Sequence, residues 1–108
     1  MMIKFSKKFT KNYTRSHDVA IKCAMESIGT FSEFTDEFGN NEQILICSIV
    51  EFLDAYIVRD RITTYGVDVL FNVMFPSGKI ETRWGKAYHG KKINSSFHDR
   101  SQMKALYP

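Results

Sequence analysis

Cysteine and proline are scarce in this chain, with two of each among 108 residues, and no apolar stretch is long. The longest runs from Ile44 to Val50 and stops at Glu51, far short of the roughly 18 to 20 residues that a membrane-spanning helix requires. The basic start of the chain alternates Lys with Phe and Thr. It has neither an unbroken apolar stretch nor a small-residue cleavage site, so no secretory leader is expected and the sequence reads as cytoplasmic. Cys23 and Cys47 each stand among apolar neighbours, which reads as two buried free thiols rather than a disulfide. In that setting the acceptor triplets Asn12-Tyr13-Thr14 and Asn94-Ser95-Ser96 carry no weight.

Recognisable chemistry is also missing. His17, His89, His98, Cys23 and Cys47 are scattered, without the close pairing of structural zinc ligands, so no metal and no cofactor is expected. Gly85 and Gly90 have the wrong spacing for a phosphate-binding loop, and Ser77-Gly78-Lys79 reads as a hairpin turn. In His17-Asp18 and His98-Asp99 the partners are adjacent, and neighbours on a helix point about 100° apart, which suits capping or surface roles better than a catalytic relay. Glu51, Asp54 and Asp60 read as solvated acids with no basic or polar constellation beside them. No catalytic residue is assigned and an enzyme is not expected; a small hydrolase-type site would need His89 or His98 to share a concavity with one of these acids.

What is present suffices for one domain over residues 1–108. Hydrophobic residues make up 44% of the chain, with nine Phe, five Tyr and one Trp. At this size about two thirds of the unfolded surface can be buried on folding. Ile3, Phe5, Lys7 and Phe9 alternate with Lys4, Ser6 and Lys8, which predicts a short first strand. Thr14 or Ser16 can cap a helix over about 16–29, in which Ile21, Ala24, Met25 and Ile28 form the apolar stripe and Gly29 ends the run. Phe31, Phe34 and Phe38, at spacings of three and four, predict a second helical turn that closes one end of the core.

From Gln43 to Leu53 the pattern is ambiguous. Leu45, Ile49, Phe52 and Tyr56 fit a helical stripe, Ile44, Ile46, Val50 and Phe52 fit a strand face, and the β-branched density favours a strand. Tyr56 to Thr63 is also rich in strand formers. Val67, Val69, Phe71, Val73 and Phe75 make an unbroken apolar face opposite Asp68, Leu70, Asn72 and Met74, which predicts a strand. Pro76-Ser77-Gly78 turns it into a partner starting at Lys79, with Ile80, Thr82 and Trp84 buried and Lys79, Glu81 and Arg83 in solvent. Ser96 and Asp99 look like a capping box for a short final helix. The sum is an α+β domain: an N-terminal helix and a short helical turn packed on a three- to four-stranded antiparallel meander, with a small SH3-like barrel as the nearest named shape if the sheet curls strongly.

The feature that rises above background is charge segregation. Lys4, Lys7, Lys8, Lys11 and Arg15 give the first fifteen residues +5 with no acid, residues 16–82 carry −7, and residues from 83 onward carry +5 through Arg83, Lys86, Lys91, Lys92, Arg100 and Lys104 against Asp99 alone. Aromatics interleave with these bases as Lys4-Phe5, Lys8-Phe9, Lys11-Asn12-Tyr13, Arg83-Trp84 and Lys86-Ala87-Tyr88. If the two ends converge, Lys4, Lys7, Lys8, Lys11, Arg15, Arg83, Lys86, Lys91 and Lys92, with Trp84 and Tyr88, form one basic patch.

Such a patch suits a non-catalytic accessory protein that docks on a macromolecular partner with an anionic surface, such as a nucleic-acid-processing machine, and modulates or inhibits it. The alternative is direct, sequence-tolerant binding of single-stranded nucleic acid, with cations on phosphates and rings stacked on bases. Lys, Ile, Phe, Asn and Tyr together supply 39 of the 108 residues, the mix of an A+T-rich coding sequence, which would fit a viral, bacteriophage-like accessory protein.

Overall fold

A computed structural model describes residues 2–36, 38–59 and 63–88. His89, Lys91, Lys92, His98, Asp60 and the final helix expected after Ser96 lie outside the described residues. The elements in chain order are β1 (Lys4–Phe5), α1 (Lys7–Asn12), a single 3-10 turn (Arg15–His17), α2 (Asp18–Glu26), β2 (Phe31–Thr35), β3 (Asn41–Arg59), β4 (Thr63–Met74) and β5 (Ile80–Tyr88). The class is α+β, as expected. β2, β3 and β4 each pair antiparallel with the next strand, while β1 joins β3 in parallel. β1 and β2 share the same edge of β3 at different heights, and among the described residues no pairing closes the sheet into a barrel. The described residues give no support to the SH3-like shape. Among these residues no helix is long and apolar enough to cross a membrane.

Two expected elements changed type. The strand over residues 3–9 shrinks to two residues because Ser6 caps a helix, its hydroxyl oxygen accepting the Phe9 amide at 2.9 Å. In place of the helical turn expected to carry Phe31, Phe34 and Phe38, Phe31 and Phe34 lie in β2, in register with Asn41 to Leu45, and Phe38 lies in the turn between β2 and β3. The hairpin between them is tied by Asp36, whose carboxylate accepts the Asn40 and Phe38 amides and is held below its usual range by those bonds. Only Phe34 reaches the core, edge-on against Phe75 at 5.4 Å, while Phe31 and Phe38 are exposed.

β3 resolves the ambiguity of residues 43–53. Nineteen residues at about 3.3 Å each would stretch to roughly 60 Å, yet the longest dimension of the molecule is 38 Å. The strand bends through three bulges, at which Cys47, Val50 and Leu53 are surplus to the pairing with β4. Every third residue consequently faces the core: Ile46, Ile49, Phe52 and Ala55 lie opposite Val73, Phe71, Val69 and Val67, and all eight are at most 3% exposed. A period of three lies between the strand and helix periods, which is why the sequence fits both. The surplus Leu53 and Val50 turn to the outer face, where they pack with Leu70 and Trp84.

The faces of β5 are the reverse of those expected. Val73 pairs with Glu81, Phe71 with Arg83, Val69 with Gly85 and Val67 with Ala87, so Glu81 and Arg83 share the face of the main core. Ile80, Thr82, Trp84 and Lys86 lie on the outer face, Trp84 buried there and Ile80 mostly exposed. A polar ladder, Asn72 to Ser48 at 3.2 Å and Thr82 to Asn72 at 3.1 Å, crosses that face.

On the other face, α2 lays Ala20 and Ala24 on the sheet, with Ile21 at the margin; Met25 and Ile28, expected in the stripe, are largely exposed. The helix is short, and two alanines let it approach the strands closely. Gly29, at φ 86°, turns the chain out of α2 and gives its amide to the Ile46 carbonyl at 2.7 Å. Cys23 and Cys47 are free thiols, each half-buried.

Gly66 is required by close approach. A Cβ placed there would lie 2.7 Å from Cζ of Tyr56, whose ring crosses the glycine from the neighbouring strand. Gly66→Ala is expected to displace that ring at a cost of about 1–3 kcal/mol. Chemical denaturation of the single variants and of Gly66→Ala/Tyr56→Ala checks it: the double variant should be less destabilised than the sum, and strict additivity would show that the ring is not the obstacle.

Candidate functional site

Of the C-terminal half of the expected basic patch, Arg83, Trp84, Lys86 and Tyr88 are absorbed into the fold, while Lys91 and Lys92 lie outside the described residues. The Arg83 guanidinium pairs with Glu81, donates to the Thr82 carbonyl at 3.2 Å, and lies 5.5 and 5.6 Å from the ring centroids of Phe34 and Phe75. Trp84 is 3% exposed. Nζ of Lys86 stands 3.2 Å from Asp68 and 4.8 and 5.2 Å from the Tyr56 and Trp84 ring centroids. Tyr88 is half-buried, edge-on to Tyr56. These side chains hold strands together; Trp84 has no exposed face on which a base could stack.

The N-terminal half has a different fate. On α1, successive residues step 100°, so Lys8 and Asn12 share one side, Phe9 another, and Lys7 and Lys11 the side away from Phe9. Lys8 lies 3.5 Å from Asp54 and Asn12 donates to the same carboxylate at 3.0 Å. Asp54 is thus a buried anchor for α1, a correction to its reading as a solvated acid. Ser6 adds a backbone bond, its amide donating to the Phe52 carbonyl at 3.0 Å. Phe9 is buried against Phe52 at 5.3 Å between centroids.

Lys4, Lys7, Lys11 and Arg15 remain exposed, and none of the four forms an ion pair among the described residues. Two rings stand beside them. Phe5 stacks on Phe52 with centroids 5.5 Å apart and planes 10° apart, touches Phe9 at 5.5 Å, and is still 56% exposed. Tyr13 stacks on Phe9 at 5.6 Å and is 38% exposed. Its hydroxyl donates to Asp18, and that bond raises the phenol above its ordinary range. Phe5, Phe9, Tyr13 and His17 thus form a ladder at four-residue spacing, visible in the sequence, in which Phe9 and His17 are buried and Phe5 and Tyr13 are partly open, Tyr13 meeting the Phe9 ring on one side and the His17 ring at 6.2 Å.

Among the described residues no three His, Cys, Asp or Glu side chains come together as a metal site. His17 is fully buried: the Thr14 amide donates to Nδ1 at 3.1 Å, which assigns the ring proton to Nε2, and Nε2 donates to the Tyr56 carbonyl at 3.1 Å. This structural role was missed, although His17, Ala20, Ile21 and Ala24 follow the spacing of a buried helical stripe. A pocket of about 260 Å³ lies between Phe34, Phe75, Lys79, Glu81, Arg83, Glu42 and Ser77. Its Lys79 and Arg83 are both paired to Glu81. No family model, curated protein or solved structure matches the chain.

Proposed function

We propose that this protein is a non-catalytic interaction module that docks on a larger macromolecular partner with an anionic surface and modulates it, and that the segment from Lys4 to Arg15 is the docking surface. The observation that carries the reading is the contrast in charge pairing. Lys8, Arg83 and Lys86 are matched to Asp54, Glu81 and Asp68, whereas Lys4, Lys7, Lys11 and Arg15 are exposed without such partners among the described residues. Lys7 and Lys11, one helical turn apart, repel each other by about 0.2–0.5 kcal/mol in isolation. An anionic partner turns that penalty into attraction and steers the encounter.

Retention on a heparin column tests this. Lys7→Glu/Lys11→Glu should elute at clearly lower salt than the wild type. Reversing Lys22 and Lys79, whose side chains are 76% and 70% exposed elsewhere on the molecule, makes the same change in net charge and should shift elution much less; their surface ion pairs are worth at most about 1 kcal/mol. Equal shifts for the two pairs would mean that net charge alone governs retention, and the assignment of the surface would fall.

A further inference from the structure

We infer that the anionic ligand of this surface is an unpaired nucleic-acid strand, with Phe5 and Tyr13 as its two stacking platforms; the inference rests on the docking reading above. The cations alone do not choose between a nucleic acid, an acidic protein and an anionic membrane. The rings do. Each is braced, Phe5 by Phe52 and Phe9, and Tyr13 by Phe9, His17 and the Asp18 bond, and Phe5 stays 56% and Tyr13 38% exposed.

A ring fixed in orientation and open to solvent offers a π-face without the entropy cost of ordering it, and every base presents a matching π-face once it is unpaired. Around the rings, Lys4, Lys7, Lys11 and Arg15 supply the cations that take up phosphates. A duplex has its bases already stacked inside and leaves both rings unused. An acidic protein surface would satisfy the cations and likewise leave the rings in water.

A membrane surface fits poorly for a structural reason. A helix that lies in a bilayer interface turns its apolar face outward, toward the lipid. In α1 the apolar residue is Phe9, which is 4% exposed and packed on Phe52, and the outward side is Lys7 and Lys11. Insertion would require α1 to leave the sheet and expose the core beneath it.

The test is fluorescence anisotropy with the full chain and a labelled 15-residue oligo-dT, run at 50 and 200 mM salt beside a duplex of equal length, heparin, and vesicles rich in phosphatidylserine. Four cations on a single strand, at a slope near −0.7 per contact, predict a fall of about fifty-fold in affinity between the two salt concentrations. The oligo-dT should bind more tightly than the duplex, heparin or vesicles. Phe5→Leu, which keeps an apolar side chain against Phe52, and Tyr13→Leu should each weaken oligo-dT binding by roughly 5- to 150-fold. The salt slope and the heparin elution of these variants should stay unchanged.

Wild-type affinity in both leucine variants would overturn the stacking assignment while leaving anionic docking intact. So would a preference for the duplex, heparin or vesicles. Absence of oligo-dT binding at micromolar protein would overturn it as well, and the heparin comparison of Lys7→Glu/Lys11→Glu with the Lys22 and Lys79 reversals decides the broader reading separately. Circular dichroism of each variant establishes that it is folded before its affinity is read.

Discussion

His17→Ala is expected to lower the free energy of unfolding by about 3–5 kcal/mol. Few substitutions should cost more, because this one combines two penalties. The imidazole is fully buried between Tyr13 and Tyr65, so its removal leaves a cavity that the short 3-10 turn and the sheet cannot both close. It also strips partners from the Thr14 amide and from the Tyr56 carbonyl, the latter 39 residues along the sequence from His17. A domain of this size is commonly stable by only about 5–15 kcal/mol, so the variant should be near its folding threshold at 37 °C. Urea denaturation reads the difference directly. A loss below about 1 kcal/mol would mean that the side chain is not the buried tie described above.

Phe52→Ala should be comparably costly, about 3–5 kcal/mol, and its effect should extend to the proposed docking surface. Phe52 is 1% exposed, supports Phe5 and Phe9 with its ring, and accepts the Ser6 amide on its carbonyl. Truncation removes the support behind the Phe5 ring and loosens β1 and the start of α1. Hydrogen exchange should report lost protection at Ser6 and Thr10, whose amides donate to Phe52 and Ser6, before protection is lost in β4. If protection were lost uniformly along the chain, the N-terminal segment would be one cooperative unit with the sheet and not a locally anchored strap.

The parts of the fold that were legible share a property: one undisturbed period. Val67 to Phe75 alternate without interruption, and β4 lies where that alternation puts it. Helix α2 was legible from its apolar spacing and Gly29, although it runs only from Asp18 to Glu26, neither Thr14 nor Ser16 caps it, and Met25 and Ile28 are left outside by a helix that seats itself on alanines. β3 was not separable from a helix because its bulges impose a period of three, and nothing local in Ile46 to Leu53 announces that one residue in three will be left out of the ladder. The face of β5 depends on the length of the turn. With Met74 opposite Ile80, Glu81 must share the side of Val73, a consequence of register that the presence of a large apolar Trp84 obscured.

The candidate site was half legible. The basic and aromatic interleaving at Lys4 to Tyr13 is where the open rings and cations stand. The matching pattern at Arg83 to Tyr88 looks the same in sequence, yet its charges are satisfied by Glu81 and Asp68 and its indole is covered. The difference lies in partners two to eighteen residues away and across the sheet, which no reading of local composition can supply. Asp54 shows the same point from the other side, since its lysine is 46 positions upstream.

The surplus residues of β3 carry a consequence for how the gene can change. Cys47, Val50 and Leu53 stand opposite nothing on β4, so losing a single codon at any of these three sites removes a bend and leaves the remaining residues of β3 on their present sides against β4, at the cost for Val50 and Leu53 of their contacts with Leu70 and Trp84. A codon lost from an ordinary strand reverses inside and outside for everything beyond it. The middle strand of this sheet can therefore vary in length without inverting its hydrophobic side.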